Sequence, residues 1–119
     1  MGRVVVTEFL TLDGVMEDPT PWQRGYESPE IGRFKRDELF ESDALLLGRV
    51  TYEGFAEYWP TATGTGAFGE RMNALPKFVA TTTLRSLAWN AAALQGNVVD
   101  AVQELKREGD RNLLSLIHI

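Results

Sequence analysis

The 119-residue chain has no cysteine, a single histidine at position 118, and only 12 basic residues against 17 acidic ones. Without thiols, neither a disulfide framework nor thiolate chemistry is open to it. One imidazole per chain excludes a multi-histidine metal site, so no metal is expected, and it disfavours hydrolase triads built on a histidine base. A formal net charge of -5 supplies no field to collect nucleic acid or acidic membrane, and neither is expected as a partner. Long apolar runs are missing too. No stretch approaches the roughly 20 residues that span a bilayer, and the start MGRVVVTEF is too short and too soon charged for a signal peptide. The expected location is the cytoplasm.

What is present is the composition of an ordinary globular domain, 44% hydrophobic and 24% charged, at a length that predicts one domain. RVVVTEF, β-branched and followed by LDG, predicts a first buried strand. From Thr11 to Glu27 the chain carries Gly14, Pro19, Pro21 and Gly25, too many breakers for a helix, and a loop of that length is often functional. SPEIGRFKRDELFES predicts a helix with Ser28 as N-cap and Pro29 at the first helical position, and with Ile31, Phe34, Leu39 and Phe40 as its apolar stripe. DALLLG then predicts a strand and RVTYEGFAEYWP a helix that Pro60 stops. TATGTGAFG is a polar, glycine-rich stretch, KFVATTT a third strand, and LRSLAWNAAALQG holds at most a short strand between Trp89 and Leu94. Asn97 caps a helix over VVDAVQELKRE, which Gly109 ends. A last strand begins near Asn112. Strands alternating with helices predict an α/β domain with a mainly parallel sheet.

The chemistry concentrates in LLLGRVTYEGF. A buried strand delivers Gly48 to its carboxyl end, and the helix that follows presents free N–H groups and a positive dipole end, a ready phosphate site. Arg49 adds a planar charged fork and Thr51 a hydroxyl. Ligands of open α/β sheets bind at this edge. The structural alternative is a tight turn at Gly48, a cap at Thr51 and a solvated Arg49. The aromatics Tyr52, Phe55, Tyr58 and Trp59 stand at helical spacing and are read as core. Trp22, in the long loop, is the better candidate for touching a substrate. Glu104, Lys106, Arg107 and Glu108 form a solvated helix end.

LLLGRVTYEGF, followed by MNALPKFVATTTL and preceded by LTLDG after the first strand, resembles the dihydrofolate reductase-like family. The nearest branch is the C-terminal reductase domain of the bifunctional deaminase-reductase of riboflavin biosynthesis and its stand-alone relatives. The likeness runs from about residue 3 to residue 114 and covers residues 1–119 as one incomplete domain. It implies a three-layer α-β-α fold with a mostly parallel mixed sheet, NADPH as cofactor, a small heterocyclic substrate and a homodimer at full length. The implied activity is reduction of 5-amino-6-(5-phosphoribosylamino)uracil or of another small heterocycle; a non-catalytic nucleotide-binding or dimerisation module on the same fold is the alternative. Carried over by position, Gly48, Arg49 and Thr51 match the turn that holds the cofactor phosphates, and Thr81, Thr82 and Thr83 the strand end beside the adenosine. Relatives in the riboflavin branch often carry a basic residue where Thr82 stands; Arg85 is near enough in sequence to replace it. Thr11, Leu12, Asp13 and Gly14 match the loop that borders nicotinamide and substrate, with Asp13 the candidate proton donor, acting through water; a plain Asp-Gly turn is the alternative.

The ending LSLIHI is one reading frame of CTGTCTCTTATACACATC, a transposon end sequence used in preparing sequencing libraries. It stands where relatives continue into a glycine turn that cradles the cofactor diphosphate. The expectation is that the native product continues and that the residues from Leu114 or Ser115 are an assembly artefact, the alternative being a genuine short chain with a β-prone end. His118 is accordingly given no role, and the final strand, lacking its successors, is expected to leave an unpaired edge.

Overall fold

A computed structural model describes residues 2–84, 86–108 and 110–116. Gly109, Arg85 and His118, to which the sequence reading gave a stop signal, a possible basic contact and no role, lie outside the described residues. The run Ala44–Gly48 forms strand β2 in the middle of a five-stranded sheet, with its first four residues fully buried. Strand β1 spans Arg3–Val6, β3 Lys77–Ala80, β4 Ala91–Ala93 and β5 Asn112–Leu116. Their order across the sheet is β1-β5-β2-β3-β4, and every described pairing is parallel.

Side chains of a strand alternate between faces, so β2 feeds two cores. Leu45 and Leu47 join Val79 and Leu114 on one face, under helix α2 (Pro29–Phe40), helix α3 (Arg49–Tyr58) and helix α4 (Gly66–Ala74) through Leu39, Tyr52 and Met72. Ala44 and Leu46 join Leu113 on the other, where helix α5 (Val98–Arg107) contributes Leu105 and Val102. The expected three layers are present, and topology explains the division. The chain moves one way across the sheet from β1 to β2 to β3, then reverses from β4 to reach β5; crossovers of a single hand then place α5 on the opposite face.

The N-terminal signals of α2 and α5 hold to the residue. The Ser28 hydroxyl accepts from the Ile31 N–H, Pro29 opens α2, and the Asn97 side chain accepts from the N–H groups of Val99 and Asp100. Of the apolar stripe expected on α2, however, only Leu39 is buried; Ile31, Phe34 and Phe40 are exposed.

Four expectations are corrected. The first strand, expected to be buried, is exposed along its length, because β1 lies at the edge of the sheet. The loop from Thr11 to Glu27 contains a one-turn helix, α1 (Thr20–Gln23), because its prolines fall at the helix start, where a missing N–H costs nothing. The glycine-rich stretch after Pro60 runs into α4. Burial of Met72 outweighs the roughly 1 kcal/mol that a helical glycine costs, and a Cβ on Gly69 would stand 1.9 Å from the Thr65 hydroxyl, so the glycine serves close approach. Finally, β5 is no edge. It lies between β1 and β2, with Leu114 paired to Val5 on one side and Leu45 on the other, and Leu113, Leu114 and Ser115 are buried. The strand edges that face outward belong to β1 and β4.

Candidate functional site

The carboxyl ends of the strands carry a cavity of about 600 Å³. Its floor includes Leu116, at the end of β5. One wall is the loop after β1, through Phe9 and Met16 to Pro19, and another is the first two turns of α3, through Val50, Thr51, Gly54 and Phe55. The lining is largely apolar. The charged residues that line it are Glu17, Asp18 and Lys35.

Lys35, on α2, is the most firmly placed of the three. Its ammonium donates to the hydroxyl of Thr7, a buried residue just past β1, and to Glu38 Oε1 at 3.3 Å. It lies 4.9 Å from the centre of the Phe9 ring and 5.9 Å from that of Phe34. Sequence reasoning assigned Lys35 nothing. Only its i,i+3 spacing from Glu38 was visible, and that spacing marks most helical ion pairs.

The residues singled out for phosphate contact stand around the same edge. Gly48 is the N-cap of α3 in extended conformation, with φ -76°, so it is not conformationally required there; no side chain caps the helix, and its first-turn N–H groups have no helical acceptors. Thr51 lines the cavity. Arg49 is exposed and turned along its own helix, donating to Glu53 Oε1 at 2.8 Å. At the end of β3, the Thr81 hydroxyl accepts from the N–H groups of Thr83 and Leu84 and turns the chain out of the sheet, leaving Thr82 and Thr83 exposed. That exit is a divergence: Leu84 and Leu87 pack toward the core under α3 and α4, whereas Leu94, past β4, packs toward α5.

The loop residues Thr11 to Gly14 form an exposed turn apart from the cavity lining. The Thr11 hydroxyl donates to Asp13 Oδ1 at 2.6 Å and accepts from the Val15 N–H, Gly14 takes φ 96°, and Leu12 is fully exposed. The Thr11 hydroxyl and then the residue's own backbone N–H hold the Asp13 carboxyl below its ordinary range. It is therefore a carboxylate at neutral pH, without a proton to give. Trp22 also stays out of the lining; its indole N–H donates to the Glu17 carbonyl at 3.2 Å and ties α1 to the cavity rim. Of the aromatics read as core, Tyr52 is buried, its hydroxyl accepting from the Ala88 N–H at 2.8 Å, and Phe55 and Trp59 pack partly buried against the same cluster; Tyr58 is instead exposed.

Among the described residues no group of three or more metal-ligating side chains occurs, and no helix is long and apolar enough to cross a membrane. The sequence profile of the RibD C-terminal domain matches residues 3–116. The chain belongs to the RibD C-terminal domain family. No curated protein matches it significantly. In this RibD-type domain the matched segment runs from the first residue of β1 to the last of β5, so the cavity, the α3 turn and the β3 exit all fall within the family match.

Proposed function

We propose that the protein is an NADPH-dependent reductase of the riboflavin-pathway type, reducing 5-amino-6-(5-phosphoribosylamino)uracil or another small heterocycle or carbonyl compound. The observation that carries this is a largely apolar cavity of about 600 Å³ beside the first turn of α3, in a chain of this family. That volume falls in the range of roughly 300–1,000 Å³ typical of small-molecule sites.

The donor set fits a dinucleotide phosphate. The open N–H groups of the first turn of α3, the Thr51 hydroxyl and the Arg49 guanidinium combine backbone donors with a permanent charge at one strand end. Arg49 takes the 2′-phosphate by leaving Glu53, and Thr81 to Thr83 border the adenosine at the divergence of β3 and β4. When bound, the cofactor supplies hydride; the chain's task is to hold the acceptor against it and exclude water. Phe9, Met16, Val50, Phe55 and Leu116 provide the dry walls. Asp13, with Thr11, Leu12 and Gly14, shapes the outer loop and acts at most through water, and Trp22 positions the rim through Glu17. The reading includes a cytoplasmic homodimer.

A non-catalytic nucleotide-binding module is the second reading, favoured by the exposure of Asp13 and its lowered pKa. The test follows oxidation of NADPH by the purified protein with pyrimidine, pteridine and quinone acceptors. Turnover of any of them supports the reductase. Tight NADPH binding without turnover on any acceptor supports the module.

A further inference from the structure

Hydride addition to a C=O or C=N bond leaves an electron pair on the oxygen or nitrogen, and that atom needs a proton or a nearby positive charge. Asp13, held as an exposed carboxylate, supplies neither. Of the charged side chains on the cavity wall, Glu17 and Asp18 are acidic and Lys35 is the cation. An ammonium carries three hydrogens. Lys35 directs hydrogen bonds to Thr7 and Glu38, which hold it in place, and it remains on the lining of the cavity, so a third hydrogen is left for a ligand.

We propose that Lys35 is the residue that binds the acceptor's heteroatom and delivers its proton, an assignment that rests on the reductase reading. As the acceptor carbon gains hydride from the dihydronicotinamide, a C–H bond forms and the π pair of the double bond moves to the oxygen or nitrogen. Lys35 Nζ gives that atom a proton and is left as a neutral amine, which recovers a proton from water. The dihydronicotinamide is oxidised and the acceptor reduced by the same two electrons. Thr7 and Glu38 are positioning residues. Thr7 fixes the ammonium beside the end of β1, and Glu38 holds it from its own helix. The ring centres of Phe9 and Phe34 lie 4.9 and 5.9 Å from Nζ and favour the cation.

The experiment uses the whole chain with Lys35→Met, Lys35→Ala, Lys35→Arg and Thr7→Val. Orotate, a planar pyrimidine with two ring carbonyls and a carboxylate, is the binding probe, titrated by calorimetry without cofactor. Lys35→Met is expected to weaken orotate about tenfold or more, Lys35→Arg to retain most of the affinity, and Thr7→Val to fall between them. NADPH affinity, read by its fluorescence, is expected to stay within about twofold of wild type in all four, since the proposed phosphate contacts come from α3 and not from α2. With an acceptor the wild type reduces, turnover falls about 10²- to 10⁴-fold in Lys35→Ala and is partly restored by added ethylamine, a rescue that a purely structural lysine would not show. Orotate binding that is absent in wild type or equal in Lys35→Met overturns the proposal, as does unchanged turnover in Lys35→Ala. If orotate binding follows Lys35 while no acceptor is reduced by wild type, the reductase reading falls with the proton step, and the binding half of the assignment stands.

Discussion

Two lysines, at opposite ends of the sheet, show what surroundings do to one charge. Lys35 stands at the carboxyl ends of the strands, with a carboxylate, a hydroxyl and two aromatic rings around it. Lys77 opens β3 at the other end and is 1% exposed. Its Nζ donates to the Asn73 carbonyl at 2.9 Å and lies 4.0 Å from the centre of the Trp89 ring. The indole N–H of Trp89 in turn donates to the Asn73 side chain at 2.6 Å, although the Trp89 backbone sits in the left-handed region at φ 59°. No carboxylate is paired with Lys77 among the described contacts, and burial pushes its pKa down to about 8. A lysine with a counter-ion and a cavity is available for chemistry. Lys77 also lines a cavity, a smaller one of about 280 Å³, but without a described counter-ion it is a cost that packing around it must offset.

Breaking the buried end has the largest expected effect. Trp89→Ala removes the ring over Lys77, the partner of Asn73 and an edge-to-face contact with Phe55. It should cost about 3–5 kcal/mol of unfolding free energy, measured by urea denaturation; a loss below about 1 kcal/mol would mean that the cluster does not hold this corner.

Next comes pH. The folded-state pKa of Lys77, about 8, lies below its ordinary 10.5. Below pH 8 both states carry the proton and the folded state bears the burial cost. As pH rises from 8 to 10.5 the folded state releases the proton while the unfolded state keeps it, so stability rises with pH, by at most about 3 kcal/mol. Wild type should therefore gain on Lys77→Met across that window when the two are unfolded in urea at a series of pH values. Parallel curves would show that Lys77 does not titrate there.

At the cavity end, Arg49→Ala should weaken NADPH about tenfold relative to NADH, through loss of one charge-assisted contact. Because Glu53 competes for the guanidinium, Glu53→Ala should tighten NADPH by a few-fold. Fluorescence titration with both cofactors checks the pair. Equal losses with NADPH and NADH would detach Arg49 from the 2′-phosphate.

The smallest effect sharpens the contrast. Lys35→Met should change unfolding free energy by less than about 1 kcal/mol, as expected for a partly exposed ion pair. A larger destabilisation would make Lys35 a structural lysine like Lys77.

The parts of the fold that sequence made legible are those where local chemistry agrees with tertiary position. Ser28 and Asn97 cap because their side chains reach N–H groups two or three residues on, and Ala44 to Leu47 are uniformly apolar because both faces of β2 are covered. Helix α4 was hidden because its evidence is the burial of Met72 against other elements, while its glycines argue locally for a loop. The central place of β5 was hidden for a related reason: strand order is set by which face each crossover takes, and no residue of Asn112–Leu116 records that. The strand-to-helix turn from Gly48 to Thr51, whose role at the site is a proposal, was legible because its residues are consecutive in the chain. The cavity wall was not, since Phe9, Lys35 and Leu116 come together only when the loop after β1, α2 and β5 assemble.

The position of β5 also governs when this protein can fold. Arg3 pairs with Asn112, and among the described residues no strand but β5 is joined to β1. During synthesis, at about 5–20 residues per second, the valine-rich first strand therefore waits seconds for its neighbour, while β2 and β3 can already pair. Closing so long a loop before any reward gives slow, high-contact-order folding. On the ribosome the nascent chain is thus a half-sheet with a solitary strand, a form that chaperones would recognise, and the cavity comes into being only after the last described strand has slotted into the gap.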